Sequence, residues 1–127
     1  MELNTKIKPE FVDDRGGITK LLDDGKTNIK SVLLITSKAG SVRSNHYHKE
    51  DAHWIYMITG SMEYHEKPVK GRSKTEKVIV HAGDLIYTPP MAIHAVKFLQ
   101  DSVFIALSPK SRNQKEYEAD TIRVKLL

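Results

Sequence analysis

Three of the six histidines of this chain, His46, His48 and His53, fall within the stretch SNHYHKEDAHWIYMITG, residues 44–60. Imidazole is neutral near pH 7 and carries an available lone pair, which makes it the commonest protein ligand for transition metals. His46 and His48 stand at i and i+2, a spacing that puts both side chains on one face of a β-strand. Two such imidazoles can take adjacent coordination positions on one ion. His53 follows after KEDA, which reads as a tight hairpin returning the chain beside His48. His94 comes after PPMAI and begins a strand able to close the same pocket. Imidazoles buried without a metal would each need a hydrogen-bond partner and would resist protonation. Four of them on one wall therefore favour a metal, while packed or solvent-facing histidines remain the alternative. His65 lies in an alternating strand and His81 ends one, and both read as packing, surface or supporting residues.

The elements that must position these groups are short strands. Candidate strands are ITKLL (18–22), IKSVLLIT (29–36), HYH (46–48), AHWIYMIT (52–59), MEYHE (62–66), EKVIVH (76–81), LIYT (85–88), HAVKF (94–98) and SVFIALS (102–108). Turn residues separate them, among them Gly60-Ser61, Ala82-Gly83-Asp84 and Pro89-Pro90. Many short strands at this spacing predict an all-β sandwich or barrel. NQKEYEAD (113–120) is expected to make one helical turn, and IRVKLL (122–127) reads as a final edge strand.

Length and composition set the limits. The chain has 127 residues, which predicts a single domain over 1–127. Its zero cysteines exclude disulfides and thiolate metal sites. No apolar run is long enough for a transmembrane helix, and the polar N-terminus MELNTKIKPEF lacks the apolar stretch of a secretory signal. The expectation is a cytoplasmic protein with no membrane contact. The net charge is +4, yet no Lys/Arg run alternates with aromatics, so nucleic acid is not an expected partner. The densest basic stretch, KPVKGRSKTEK (67–77), reads as a solvated hairpin loop or as a lid over an anionic substrate.

Two patterns in the chain resemble the motifs of the cupins. The first is Gly40-x5-His46-x-His48-x4-His53-x6-Gly60, with His53 where that family usually carries glutamate. The second is Gly83-x5-Pro89-x-Met91-x2-His94, with Met91 where glycine is usual and Phe98 where asparagine is frequent. The motifs span about 40–60 and 83–98. The resemblance implies a double-stranded β-helix, or jelly-roll barrel, in which His46, His48, His53 and His94 ligate one divalent transition metal. All-nitrogen donors suit Fe, Mn, Ni, Cu or Zn rather than Mg or Ca. Four neutral imidazoles leave the 2+ charge of such an ion uncompensated, so the site is expected to favour anionic oxygen ligands.

A further likeness is to the nucleotide-sugar branch of those proteins, the deoxysugar 3,5-epimerases and 3,4-ketoisomerases. It rests on Asp14-Arg15-Gly16 and on Arg43-Ser44-Asn45-His46, where Ser44 replaces the glycine of the branch. This implies an isomerase- or epimerase-like enzyme acting on a small anionic or sugar-derived substrate, with Arg43 holding a phosphate or carboxylate. The chemistry needs a base next to a ketone, and a metal-bound histidine cannot be that base. Tyr56, His65 and Tyr87 are the candidates. A metal-dependent dioxygenase is the alternative, with Ile55, Met57, Met62, Ile86, Met91, Ile93, Phe98 and Phe104 as an apolar lining. A non-catalytic small-ligand binder is the third reading. Family analogy implies a homodimer, with NTKIK and IRVKLL pairing across its interface.

Overall fold

The computed structural model describes all residues, 1–127. In chain order its elements are β1 (Glu2–Asn4), β2 (Phe11–Asp13), β3 (Gly16–Ile18), β4 (Ser31–Ser37), β5 (Val42–His48), β6 (His53–Thr59), β7 (Ser61–Pro68), β8 (Glu76–His81), β9 (Leu85–Thr88), β10 (Ala92–Phe98), β11 (Ser102–Ser108), α1 (Gln114–Asp120) and β12 (Thr121–Arg123). Two antiparallel five-stranded sheets face one another. One has the order β1-β9-β6-β11-β4, the other β12-β5-β10-β7-β8, and β2-β3 forms a separate hairpin. This is the all-β sandwich the strand pattern predicts and the jelly roll the resemblance implies. No helix is long and apolar enough to cross a membrane.

Alternation along the strands decides what faces inward. In β11 every second residue is buried: Ser102, Phe104, Ala106 and Ser108. In β10 Ala92, His94, Val96 and Phe98 point in while Lys97 is exposed. Met57, Met62, Tyr64, Val80, Ile86, Val96, Phe98 and Phe104 thereby meet in one buried cluster. Each such side chain contributes roughly 1.5–3 kcal/mol by leaving water. Gly60, between β6 and β7, holds φ at +91°, and a Cβ there would stand 2.6 Å from the Asp101 carbonyl oxygen. Only glycine lets the chain turn from one sheet to the other so close to β11.

The structure departs from the strand reading in three places. KEDA is no hairpin, because β5 and β6 lie in different sheets. The Asp120 carboxylate accepts the amides of Glu50 and Asp51 at 2.9 and 3.0 Å, which takes those donors out of any ladder. His53 consequently faces His48 across the sandwich rather than beside it. The expected final strand 122–127 stops at Arg123: β12 pairs with β5, as β1 pairs with β9 near the other end of the chain. Beyond β12 the amides of Leu126 and Leu127 donate to Asn45 Oδ1 at 2.8 and 2.9 Å. The expected strand 18–22 ends at Ile18.

β5 carries a bulge. His46 pairs with His94 and Ser44 with Ala95, so Asn45 has no partner in β10. Ser44 and Asn45 have φ of +72° and +56°. An extra residue in one strand changes the alternation by one step. Arg43 is thus opposite inward-facing Val96, although it lies an odd number of residues from His46. Without the bulge Arg43 would point outward.

Candidate metal centre

β5 and β10 set His46 and His94 directly opposite each other, with ring centroids 4.7 Å apart. His48 follows two residues along β5, 4.6 Å from His46. One ligating atom from each of His46, His48 and His94 lies within 4.8 Å of the others. His53, from the facing sheet, stands 4.9 Å from His48 and 6.5 Å from His94. It forms a second group with His48 and Asp51, again within 4.8 Å. His48 is common to both groups. The four histidines therefore gather at one end of the sandwich, as the spacing suggests, but a carboxylate gathers with them.

The hydrogen bonds fix which nitrogens are free. Thr121 Oγ1 spends its single hydrogen on the Tyr117 carbonyl at 2.6 Å. Its contact with His48 Nδ1, at 3.2 Å, must then be donated by the imidazole. The lone pair of neutral His48 is left on Nε2, a buried atom with no hydrogen-bond partner. His94 Nδ1 donates to the Ala92 carbonyl at 3.0 Å, which likewise leaves the lone pair on Nε2. Backbone or hydroxyl partners that fix the tautomer in this way are what metal-ligating histidines commonly have. A buried, unpartnered lone pair costs about 1–3 kcal/mol, and a bound cation would satisfy it. The residues present fit a divalent transition metal.

Burial keeps these rings neutral. Desolvation, followed by the neighbouring His94 and His48, pushes His46 down from 6.5 to about 3. Burial and the other three histidines bring His53 to about 3, and burial brings His94 to about 4. His48 is lowered by burial too, against the opposing pull of Asp51 and Asp120.

A cleft of about 440 Å³ opens onto His46, His53 and His94. Its apolar wall includes Leu33, Ile35, Ile55, Met62, Val96 and Phe104, and its charged lining is Arg43, Arg112, Arg123 and Glu118. Arg43 is tied to Ser37 Oγ at 2.6 Å and to the Thr36 carbonyl at 3.1 Å. Arg123 is held by both oxygens of Glu118 at 3.0 Å. The Arg112 guanidinium lies 3.5 Å over the Tyr117 ring. Tyr64 also lines the cleft, its hydroxyl within 2.8 Å of Glu66 Oε1 and Thr88 Oγ1. Burial raises the pKa of both Tyr64 and Tyr117.

The expected bases are elsewhere. Tyr56 alternates with inward-facing Ile55 and Met57 and so lies on the outer face of its sheet. Tyr87 is on that face too, 4.8 Å from Trp54. His65 falls between inward Tyr64 and Glu66 and bonds outward to Glu63 at 2.7 Å. None of the three lines the cleft, because strand parity turns each away. Of the expected apolar lining, Ile55, Met62 and Phe104 are in the cleft wall, the last two as members of the buried core as well, whereas Met57, Ile86 and Phe98 belong to the core alone. Sequence reasoning missed Asp51, Tyr64, Arg112, Tyr117 and Arg123. The alternation of Met62, Tyr64 and Glu66 could have flagged Tyr64. The other cleft residues depend on where α1 and β12 fold back.

The chain belongs to the cupins: the family model described as cupin domain matches residues 33–108. Among curated proteins it is 41% identical over 74 residues to the oxalate decarboxylase OxdC of Bacillus subtilis, covering 58% of this chain and 18% of that protein. It is 32% identical over 89 residues to the DNA damage-repair/toleration protein DRT102 of Arabidopsis thaliana, covering 70% of this chain and 26% of that one. The chain thus spans about a quarter or less of the length of these relatives. Among solved structures, the sugar 3,4-ketoisomerase QdtA of Thermoanaerobacterium thermosaccharolyticum, in complex with TDP, superposes with a TM-score of 0.75 at 20% identity, over 96% of this chain and 86% of that one. The RmlC epimerase of Mycobacterium tuberculosis gives 0.70 at 22%, over 86% and 64%. At these identities the likeness is one of fold.

Proposed function

We propose that this cupin is a metal-dependent enzyme that moves a proton next to a ketone in a small anionic, sugar-derived substrate. The observation that carries the reading is the buried, unpartnered Nε2 of His48 among three further neutral imidazoles. When bound there, a divalent transition metal supplies a Lewis acid for a substrate oxygen. His46, His48, His53 and His94 would hold it. Arg43, Arg112 and Arg123 bind the anionic group at the rim; of these only Arg123 is held by a carboxylate, while the Arg112 guanidinium lies over an aromatic ring. Tyr64 and Tyr117 are the cleft residues with a proton to move. The Glu66 carboxylate behind Tyr64 accepts a hydrogen bond from its hydroxyl, so a substrate proton taken by the Tyr64 oxygen would be matched by the hydroxyl hydrogen passing to Glu66. The fold it shares with a ketoisomerase and an epimerase supports sugar-derived substrates. The identity with part of an oxalate decarboxylase makes a small carboxylate the second anion to test. The apolar wall beside the imidazoles favours one alternative, oxygen-using chemistry on a chelating substrate.

The test is metal content by mass spectrometry on protein purified without a histidine tag, beside His48→Ala and His94→Ala. About one transition metal per chain, absent from both variants, is expected. The loaded protein is then assayed for solvent deuterium entering a TDP-4-keto-sugar and for O2 consumption. Deuterium uptake supports isomerase chemistry, and O2 consumption replaces it with the alternative. No metal after reconstitution overturns the metal reading.

A further inference from the structure

We propose that Asp51 is a metal ligand of this centre and supplies the carboxylate that the cupin pattern carries where this chain has His53. The inference rests on the metal reading above and adds a donor to it. Asp51 is 4% exposed, which is costly for a carboxylate without full compensation. Its Oδ1 is fully engaged, accepting the Ala52 amide at 2.9 Å and the Ser108 hydroxyl at 2.5 Å. Its Oδ2 takes no hydrogen bond of this kind and lies 3.5 Å from His53 Nε2. A ligating oxygen of Asp51 and one nitrogen each of His48 and His53 lie within 4.8 Å of one another. The third member of that group is His48, whose Nε2 is buried with no partner. A nearly buried carboxylate with one oxygen outside the protein's hydrogen bonds, grouped with two imidazoles, is a donor set that a bound cation would satisfy.

The turn 49–52 explains the placement. Asp120 takes the amides of Glu50 and Asp51, which bends the chain away from a hairpin and brings the Asp51 side chain under His53. An acidic residue two positions before His53 therefore reaches the centre. The consequence is electrostatic. With an Asp51 carboxylate the net charge of a divalent centre is +1, as with the glutamate of the usual cupin pattern, instead of the +2 of four neutral imidazoles. The centre keeps one fewer position for an outside anion, and the rim arginines take a larger share in holding the substrate.

Asp51→Asn tests this while keeping the fold, because the amide oxygen can still accept from Ala52 and Ser108. Ser108→Ala is the companion, removing an Oδ1 bond and leaving Oδ2 intact. Co(II) affinity is measured by chelator competition on wild type and both variants, and Cu(II)-loaded samples are compared by electron paramagnetic resonance. We expect Asp51→Asn to weaken Co(II) binding more than Ser108→Ala, whose loss of a bond that orients the carboxylate costs up to about 10–100-fold, and only Asp51→Asn to shift the copper spectrum toward an all-nitrogen donor set. Equal affinity and an unchanged spectrum in Asp51→Asn overturn the proposal and leave the metal reading standing. Weaker binding with an unchanged spectrum overturns it as well, since Asp51 then acts only through His53. Failure of wild type to bind Co(II) or Cu(II) overturns the metal reading itself.

Discussion

β6 and β10 each run from one kind of environment to another. β6 begins at His53 and passes through Ile55 to Met57; β10 passes from His94 through Val96 to Phe98. At the far end the inward positions are apolar and close-packed, with Phe98 stacked on Phe104 at 5.6 Å. At the near end the same inward parity delivers imidazoles, and one buried nitrogen there has no partner. The far end stabilises the sandwich and gains nothing from a ligand. The near end gives up stability to keep donor atoms bare. Strand alternation alone does not separate the two; what separates them is whether each buried group is satisfied by the protein itself.

The comparison breaks most visibly at the apolar end. Phe98→Ala should cost about 3–5 kcal/mol in urea unfolding, while folded protein keeps its capacity for metal. If capacity is lost in molecules that remain folded, the two ends are not independent. Acid should act on the near end. His46, His53 and His94 have folded values of about 3, 3 and 4 against 6.5 for the free side chain. Between those values the unfolded chain binds more protons than the folded one, so stability falls as pH drops below about 6.5. For His94 alone the loss is about 2 kcal/mol at pH 5. Denaturant midpoints of metal-free protein from pH 8 to pH 5 measure it, and His94→Gln should flatten the slope. The smallest effect lies beside the near end, in the turn before β10, where the Met91 amide donates to the His48 carbonyl. Met91 holds φ at +61°, a region that suits glycine. Met91→Gly should raise stability by about 0.5–1 kcal/mol, read as a higher thermal midpoint with metal capacity unchanged.

Much of the fold was legible because its carriers are local. β8, β9 and β11 begin and end where their apolar runs do, at Glu76–His81, Leu85–Thr88 and Ser102–Ser108. The gathering of His46, His48, His53 and His94 was legible from the i, i+2 spacing and the two motifs. What the sequence hid depends on distant contacts. Tyr56, His65 and Tyr87 have the right chemistry but the wrong parity, and parity is set by cross-strand pairing. KEDA looks like a hairpin until Asp120, seventy residues away in the chain, claims its amides. Arg112, Tyr117 and Arg123 reach the cleft only because β12 pairs with β5. The positive φ at Ser44 and Met91 falls where the resemblance expects glycine, so the backbone shape persists at positions where the residue that most easily adopts it does not.

The bulge at Ser44 and Asn45 works as a change of phase in a two-step rhythm. A substitution at Arg43 can alter what reaches the cleft, but no substitution can alter which side of the sheet position 43 occupies. Losing one residue from the bulge would do so at once, turning the arginine outward while His46 and His48, on the other side of the break, keep their facing. Charge at the rim and the imidazoles of the centre can therefore vary separately through a single-codon deletion, a route to new specificity that leaves His46, His48, His53 and His94 in place.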